Sequence, residues 1–458
     1  MHDYDDVRFV FSPPDSVDEA LSSADLNLEL RSQSKDELID SYLNGPRTLS
    51  NSRLSYLILS ERASDSLPTP PLTPVSSVNG QSNLKNLEIP SSERQYELLI
   101  CAMHFLGDGM ALHQFANDFF GLLGNDKTEE ELHIMLSNEW HERYGESSAS
   151  PAILPPALEA RIPVESNKLH RVVSQIDFQL SQQKLLGGQS FPRRKHPERR
   201  TVVPTLSFSE DRTRTILRKC KTNGVSISAA LFAICNIAWV RMGKGGHELP
   251  VLMYSALNLR PYFTIRQPSP WDSYWFLAIG YFNVVLPNFL PDGDKTVEAT
   301  FWHRARKAKD QSIAAAKNPM LISRTRELAR ERSERAQRWA REDDEKDSGV
   351  WVPPPPATTS PEPREPIFPK RAEAPSTALI GLSLLGNLDG IYKHSSFPAI
   401  RLHTLTTGSR QRHGAMLLFG YTFAGKLWLS LGYDQNGFAE GVVEKFWEEA
   451  IKCVDEFL

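Results

Sequence analysis

Cysteine is scarce in this chain of 458 residues: Cys101, Cys220, Cys235 and Cys453 lie far apart, and none forms the close pair that a zinc or redox motif requires. They read as reduced, packed thiols, which excludes a disulfide-built fold. Long apolar runs are missing too. The longest, Ala229 to Val240, is broken by Asn236 and falls short of the ~18 apolar residues of a membrane span, so it reads as a buried helix. Charge of one sign is not in excess: 52 Lys and Arg face 56 Asp and Glu, a formal net charge of -4. That balance supplies no global field to hold a nucleic acid or an anionic membrane, and neither is expected as a partner. Met1 to Pro14 carry Asp3, Asp5 and Asp6 and lack the basic segment and apolar run of a secretory leader, so the expectation is a cytoplasmic protein. No internal repeat is visible, which sets aside solenoids and propellers.

What is present is enough apolar material, 40% of residues with nine Trp and 22 Phe, to bury sizeable cores. The length suits two or three units, or two large lobes. Proline supplies the punctuation. Ser64 to Pro90 reads as a solvated surface loop. Gly145 to Glu165, with Pro151, Pro155, Pro156 and Pro163 after a helix at Thr128 to Tyr144, reads as a bridge. We therefore expect an N-terminal lobe at 1–144, a linker at 145–169 and a C-terminal lobe at 170–458, with an exposed Pro-rich insertion near 341–375.

Strands are signalled at Tyr96 to Ala102, Val202 to Phe208, Val251 to Ala256, Phe282 to Leu286 and Ala378 to Leu384. Gly414 to Phe423 and Lys426 to Tyr433 read as a hairpin turning at Ala424-Gly425. Helices are expected at Met110 to Leu123, Glu210 to Lys221, Ser226 to Met242, Glu440 to Phe457 and across Phe301 to Ala340 with a break near Pro319. The class is α/β or α+β, with strands and helices in both halves.

The chemistry sits in Cys101-Ala102-Met103-His104-Phe105-Leu106-Gly107-Asp108-Gly109. An apolar strand runs into a histidine, then a glycine-flanked turn, then a helix. An imidazole, with an ordinary pKa of ~6.5, accepts and releases a proton near neutral pH, and a strand end holds it more rigidly than a free loop. Gly107 and Gly109 suggest that Asp108 holds the turn, and an ion pair with an arginine is the favoured way for a buried carboxylate to do so. A metal site from His104, Asp108 and His113 has the wrong spacing for a helix-borne zinc pair, and Gly381 to Gly386 lacks the Gly-x-Ser-x-Gly elbow of serine hydrolases. No bound metal or cofactor is expected.

His-x-x-x-Asp-Gly at a strand-to-helix junction is similar to the signature of the coenzyme A-dependent acyltransferase superfamily, the chloramphenicol acetyltransferase-like proteins. Further stretches resemble its fungal branch typified by trichothecene 15-O-acetyltransferase: Asp36 to Arg47, Ala256-Leu257-Asn258-Leu259-Arg260-Pro261, Ile279 to Asn283, Leu385 to Gly390, Thr406 to Arg410 and Leu417 to Phe423. The resemblance implies a two-lobed α/β fold with a channel between the lobes. It implies transfer of an acyl, chiefly acetyl, group from acyl-coenzyme A to a small-molecule alcohol or amine in secondary metabolism, mycotoxin biosynthesis included. In it His104 matches the general base and Asp108 the aspartate that orients the loop through an arginine, for which Arg260 is the candidate. Ser383 and Asn387 are candidates for the oxyanion or channel, and Arg410 and Arg412, with Arg193-Arg194-Lys195 as a second set, for the phosphates of coenzyme A. Acyl-coenzyme A would be a co-substrate, and the enzyme a monomer.

Departures refine the expectation. Met103 stands where condensation domains carry a second histidine, which argues against peptide-bond formation on carrier proteins. The Asp-Phe-Gly-Trp-Gly motif of plant relatives is missing, with Leu431-Gly432-Tyr433-Asp434 near its place. The chain starts close to Val7-Arg8-Phe9-Val10, without the opening strand and helix of full-length relatives, so the alternative reading is a catalytically impaired or noncatalytic small-molecule-binding relative.

Overall fold

A computed structural model describes residues 10–61, 94–144, 156–162, 167–183, 185–243, 245–263, 273–353 and 375–458. The first half opens with α1 (Val17–Asp25), β1 (Leu28–Arg31), α2 (Lys35–Asn44), β2 (Ser55–Glu61) and β3 (Tyr96–Ala102), followed by α3 (Gly109–Leu123) and α4 (Glu129–Tyr144). β1 pairs parallel with β2, and β2 antiparallel with β3, in a three-stranded sheet. Alternation along β2 sends Tyr56 and Ile58 to one face, where they pack with Cys101 of β3 and Leu38 of α2. α2 is fixed at its start by a reciprocal cap: Ser34 Oγ accepts from Glu37 N while Glu37 accepts from Ser34 N.

The interval 145–169 contains the short helix α5 (Leu158–Arg161) and the first turn of α6 (Lys168–Gln183). The second half contains β4 (Thr201–Val202), β5 (Thr205–Phe208), α7 (Glu210–Thr222), α8 (Ile227–Arg241), β6 (Val251–Asn258), β7 (Ile279–Leu286), α9 (Asp294–Ala316), α10 (Leu321–Asp347), β8 (Ala378–Asn387), β9 (Met416–Phe423), β10 (Lys426–Asp434) and α11 (Val442–Phe457). Its sheet runs β4-β10-β9-β8-β6-β7, with β5 also on β10; β6, β8 and β9 are mutually parallel and the other pairs antiparallel. The architecture is therefore mixed α/β. The hairpin turns at Ala424 (φ 50°) and Gly425 (φ 70°), the left-handed pair that matches strand twist, and Asp389 holds it by accepting from both their backbone N–H groups.

α8 explains the apolar run around Asn236. Ser226 caps it, and eleven of its residues are buried against the second sheet, α9 and α11 in the largest core. Asn236 is satisfied there, its amide donating to Pro287 O and its oxygen accepting from Arg304. Among the described residues no single helix is long and apolar enough to cross a membrane. The opposite face of the second sheet, through Phe419, Tyr421 and Phe423, packs on Ala116 and Phe120 of α3 and on Ile100 of β3. α3 thus lies between the two sheets, and its N-terminus is where the histidine turn ends.

One sequence reading changes. Arg341 to Asp347, expected within the exposed insertion, is helical, because α10 continues to Asp347; its charged run makes helix-supporting pairs such as Glu342–Lys346. The proline-rich stretches at 62–93 and 354–374 lie outside the described residues.

Candidate active site

β3 ends at Ala102, yet the ladder is extended by Met103 N donating to Leu54 O, and Leu106 N then closes a turn on Met103 O. His104 stands in that turn with its ring exposed. It makes no hydrogen bond or ion pair to another described residue. A strand end therefore delivers an exposed histidine that has no polar partner among the described residues.

Four residues on, Asp108 is in the opposite condition: 4% exposed and saturated. As the N-cap of α3 it accepts from Ala111 N at 3.1 Å. From the second half of the chain it accepts Ala278 N at 2.8 Å and Arg260 Nη1 at 3.0 and 2.8 Å. Arg260, in the single turn after β6, uses its other amino group to donate to the carbonyls of Tyr274 and Phe276, each at 3.2 Å. The Asp108–Arg260 pair thus ties the first turn of α3 to the segment leading into β7.

The glycines beside Asp108 turn out to serve close approach. Neither has a left-handed φ. A Cβ on Gly107 would sit 2.9 Å from the Trp275 ring and 2.8 Å from Ala111 Cβ, and one on Gly109 would sit 2.9 Å from Leu385 Cδ2. The absence of side chains at both positions is a packing requirement: two segments of the second half press directly on the turn. Ser383 lies two residues before Leu385 on β8, opposite Phe419 of β9, and Leu385, at an irregularity in that pairing, packs in the same cluster as Phe419. Asn387 lies at the exposed end of the same strand, where its side-chain oxygen accepts from Thr422 Oγ1.

His113 points elsewhere. It is 4% exposed, its Nδ1 lies 2.9 Å from the Tyr392 hydroxyl, and its Nε2 is buried without a partner among the described residues. Burial pushes its pKa down to about 4, so it is a neutral interior imidazole. One turn on, Asn117 accepts from Lys393 N.

Of the basic candidates, Arg410 Nη2 donates to Tyr42 O and Gly45 O, at 2.7 and 2.8 Å, closing the end of α2. Arg412 stacks 3.9 Å above the Trp339 ring. Arg193 donates to Gly414 O, just ahead of β9, and Arg194 to Asn436 in the loop that joins β10 to α11, and neither of these bonds reaches the histidine turn. A cavity of about 210 Å³ at the start of α11, lined by Arg194, Tyr433, Phe438 and Glu444 among others, shares no residue with that turn. Trp275, Ala278, Leu385 and Tyr392 were invisible as site residues in the sequence; only the aromatic density of Tyr274-Trp275-Phe276 hinted at them.

No family model matches the sequence, and no curated protein does. Solved structures do. The trichothecene 15-O-acetyltransferase TRI3 of Fusarium sporotrichioides superposes with a TM-score of 0.68 over 97% of this chain and 79% of its own, at 13% identity. The epimerization domain from the third module of tyrocidine synthetase B gives a TM-score of 0.47 over 94% of this chain and 79% of its own, at 12% identity. At such identity the first likeness establishes fold: the chain has the two-sheet α/β architecture of an acetyltransferase.

Proposed function

We propose that the chain is an acyltransferase that moves an acyl group, chiefly acetyl, from acyl-coenzyme A to a hydroxyl of a small secondary metabolite. The observation that carries this reading is the pairing of an open His104 with a locked Asp108 on one turn: the reactive group is free and its support is not.

In this mechanism His104 takes the proton from the acceptor hydroxyl as its oxygen attacks the thioester carbonyl. The tetrahedral intermediate collapses with loss of the thiolate, which takes the proton back from the ring. No acyl-enzyme forms. Asp108 is a positioning residue, since its carboxylate is fully engaged with Ala111, Ala278 and Arg260. Ser383, two residues before Leu385 on β8, is the proposed oxyanion donor, and Asn387 a channel contact. Such a donor is worth ~2.7 to 4 kcal/mol in other acyl-transfer enzymes.

The test is thiol release from acetyl-coenzyme A in the presence of candidate alcohols, with the acylated product identified by its mass. His104→Ala is expected to lower kcat by roughly 100-fold or more with stability unchanged, because the exposed ring has no partner among the described residues. A folded H104A variant that releases thiol at the wild-type rate rules out the base.

A further inference from the structure

Three arginines from different parts of the sequence meet beside the first sheet. Arg410 donates to the carbonyl of Gly45, two residues before Arg47. Arg199 Nη1 donates at 3.1 Å to the carbonyl of Gln411, the residue next to Arg410. Arg47 in turn lies 4.0 Å from Asp343 of α10, in an exposed pair. The cluster rests on Tyr42, which packs with Cys101 of β3, three residues ahead of His104.

Their own neighbours compensate this charge only in part. Asp343, 4.0 Å from Arg47, is also near Arg199 and is shared between the two. Asp434, the other carboxylate close to Arg199, is wholly buried and already accepts from Arg200 N and Gly414 N at 2.8 and 2.7 Å. Arg199 and Arg410 are both held below the usual guanidinium range, first by burial and then by the neighbouring arginines. Each also keeps unused donors: Nε and Nη1 of Arg410 and Nε and Nη2 of Arg199 have no partner among the described residues, and none is shut away from solvent. Like charges gathered at this density repel, and planar N–H forks fit phosphate oxygens in pairs.

We propose that Arg47, Arg199 and Arg410 form a phosphate-binding site, and, resting on the function proposed above, that it takes a phosphate from the nucleotide end of the acyl donor. Arg410 also closes α2, so the informative variants are Arg47→Gln and Arg199→Gln, which leave those helix bonds in place. The experiment is calorimetric titration of the full chain with coenzyme A, its 3′-dephospho form, pantetheine and inorganic pyrophosphate.

Each variant is expected to bind coenzyme A roughly tenfold or more weakly, the loss of one or two charge-assisted hydrogen bonds, with pantetheine binding unchanged. If the 3′-dephospho form is bound as weakly by the wild type as coenzyme A is by the variants, the 3′-phosphate is the group held; if it binds like coenzyme A and stays variant-sensitive, the pyrophosphate is. Wild-type protein that binds coenzyme A while both variants bind it equally well overturns the site and leaves the acyltransferase reading standing. Arginine-dependent binding of pyrophosphate without binding of coenzyme A upholds the site and removes the acyl donor. Binding of neither overturns the site.

Discussion

Replacing Arg260 by methionine keeps most of the side-chain volume and removes four hydrogen bonds at once: two to Asp108 and one each to the carbonyls of Tyr274 and Phe276. Asp108, at 4% exposure, then keeps only the N–H groups of Ala111 and Ala278. Breaking a buried pair by removing one partner costs about 3 to 5 kcal/mol. The Arg260 side chain is 24% exposed, so solvent screening places the expected loss near the lower end. Arg260→Lys retains a charge but cannot span the carboxylate and both carbonyls, and should lose about 1 to 2 kcal/mol. Asp108→Asn and the double variant complete a cycle, in which the coupling should be about 1 to 3 kcal/mol. The assay is denaturant unfolding joined to hydrogen exchange at Ala111, whose amide is capped by Asp108 and should lose protection in R260M. If the two single losses add within about 0.5 kcal/mol, the carboxylate and guanidinium do not act as a unit, and the account of how the turn is held is wrong.

His113 gives a pH signature. Its pKa falls from 6.5 to about 4 on burial, so the unfolded chain binds the extra proton first as pH falls. Stability should be full above pH ~6.5 and decline by about 1.4 kcal/mol per pH unit down to pH ~4, about 3 kcal/mol in all; urea midpoints for wild type and His113→Asn across that window check it, and equal slopes reject it. Gly107→Ala forces a methyl into Trp275 and Ala111 and should destabilise by about 1 to 3 kcal/mol. Gly121→Ala, inside α3 with open space around its Cβ, should stabilise by about 1 kcal/mol. Thermal unfolding of the two variants reads both, and a matching sign would refute the packing argument.

Much of the fold was legible locally. β3 falls where the apolar run Tyr96 to Ala102 places it, the hairpin turns at Ala424-Gly425, and Ser209 and Ser226 cap α7 and α8. These signals live within a few residues of one another. β2 carries a regular alternation, and Ser34-x-x-Glu37 announces α2. His104 and Asp108 stand out by their spacing. Arg260 emerged from a resemblance, and the reason for Gly107 and Gly109 could not emerge at all, since Trp275 and Leu385 reach them only after the chain has folded back. Nor does any local pattern foretell that Arg47, Arg199 and Arg410 converge.

The contacts that shape the histidine turn come from far along the chain: Arg260 is 152 positions beyond Asp108, and Ala278 is 170. During synthesis the imidazole is therefore made long before its surroundings. A nascent chain ending anywhere before Ala278 carries the histidine on an unbraced turn, and the bracing arrives late, when the second sheet closes over α3.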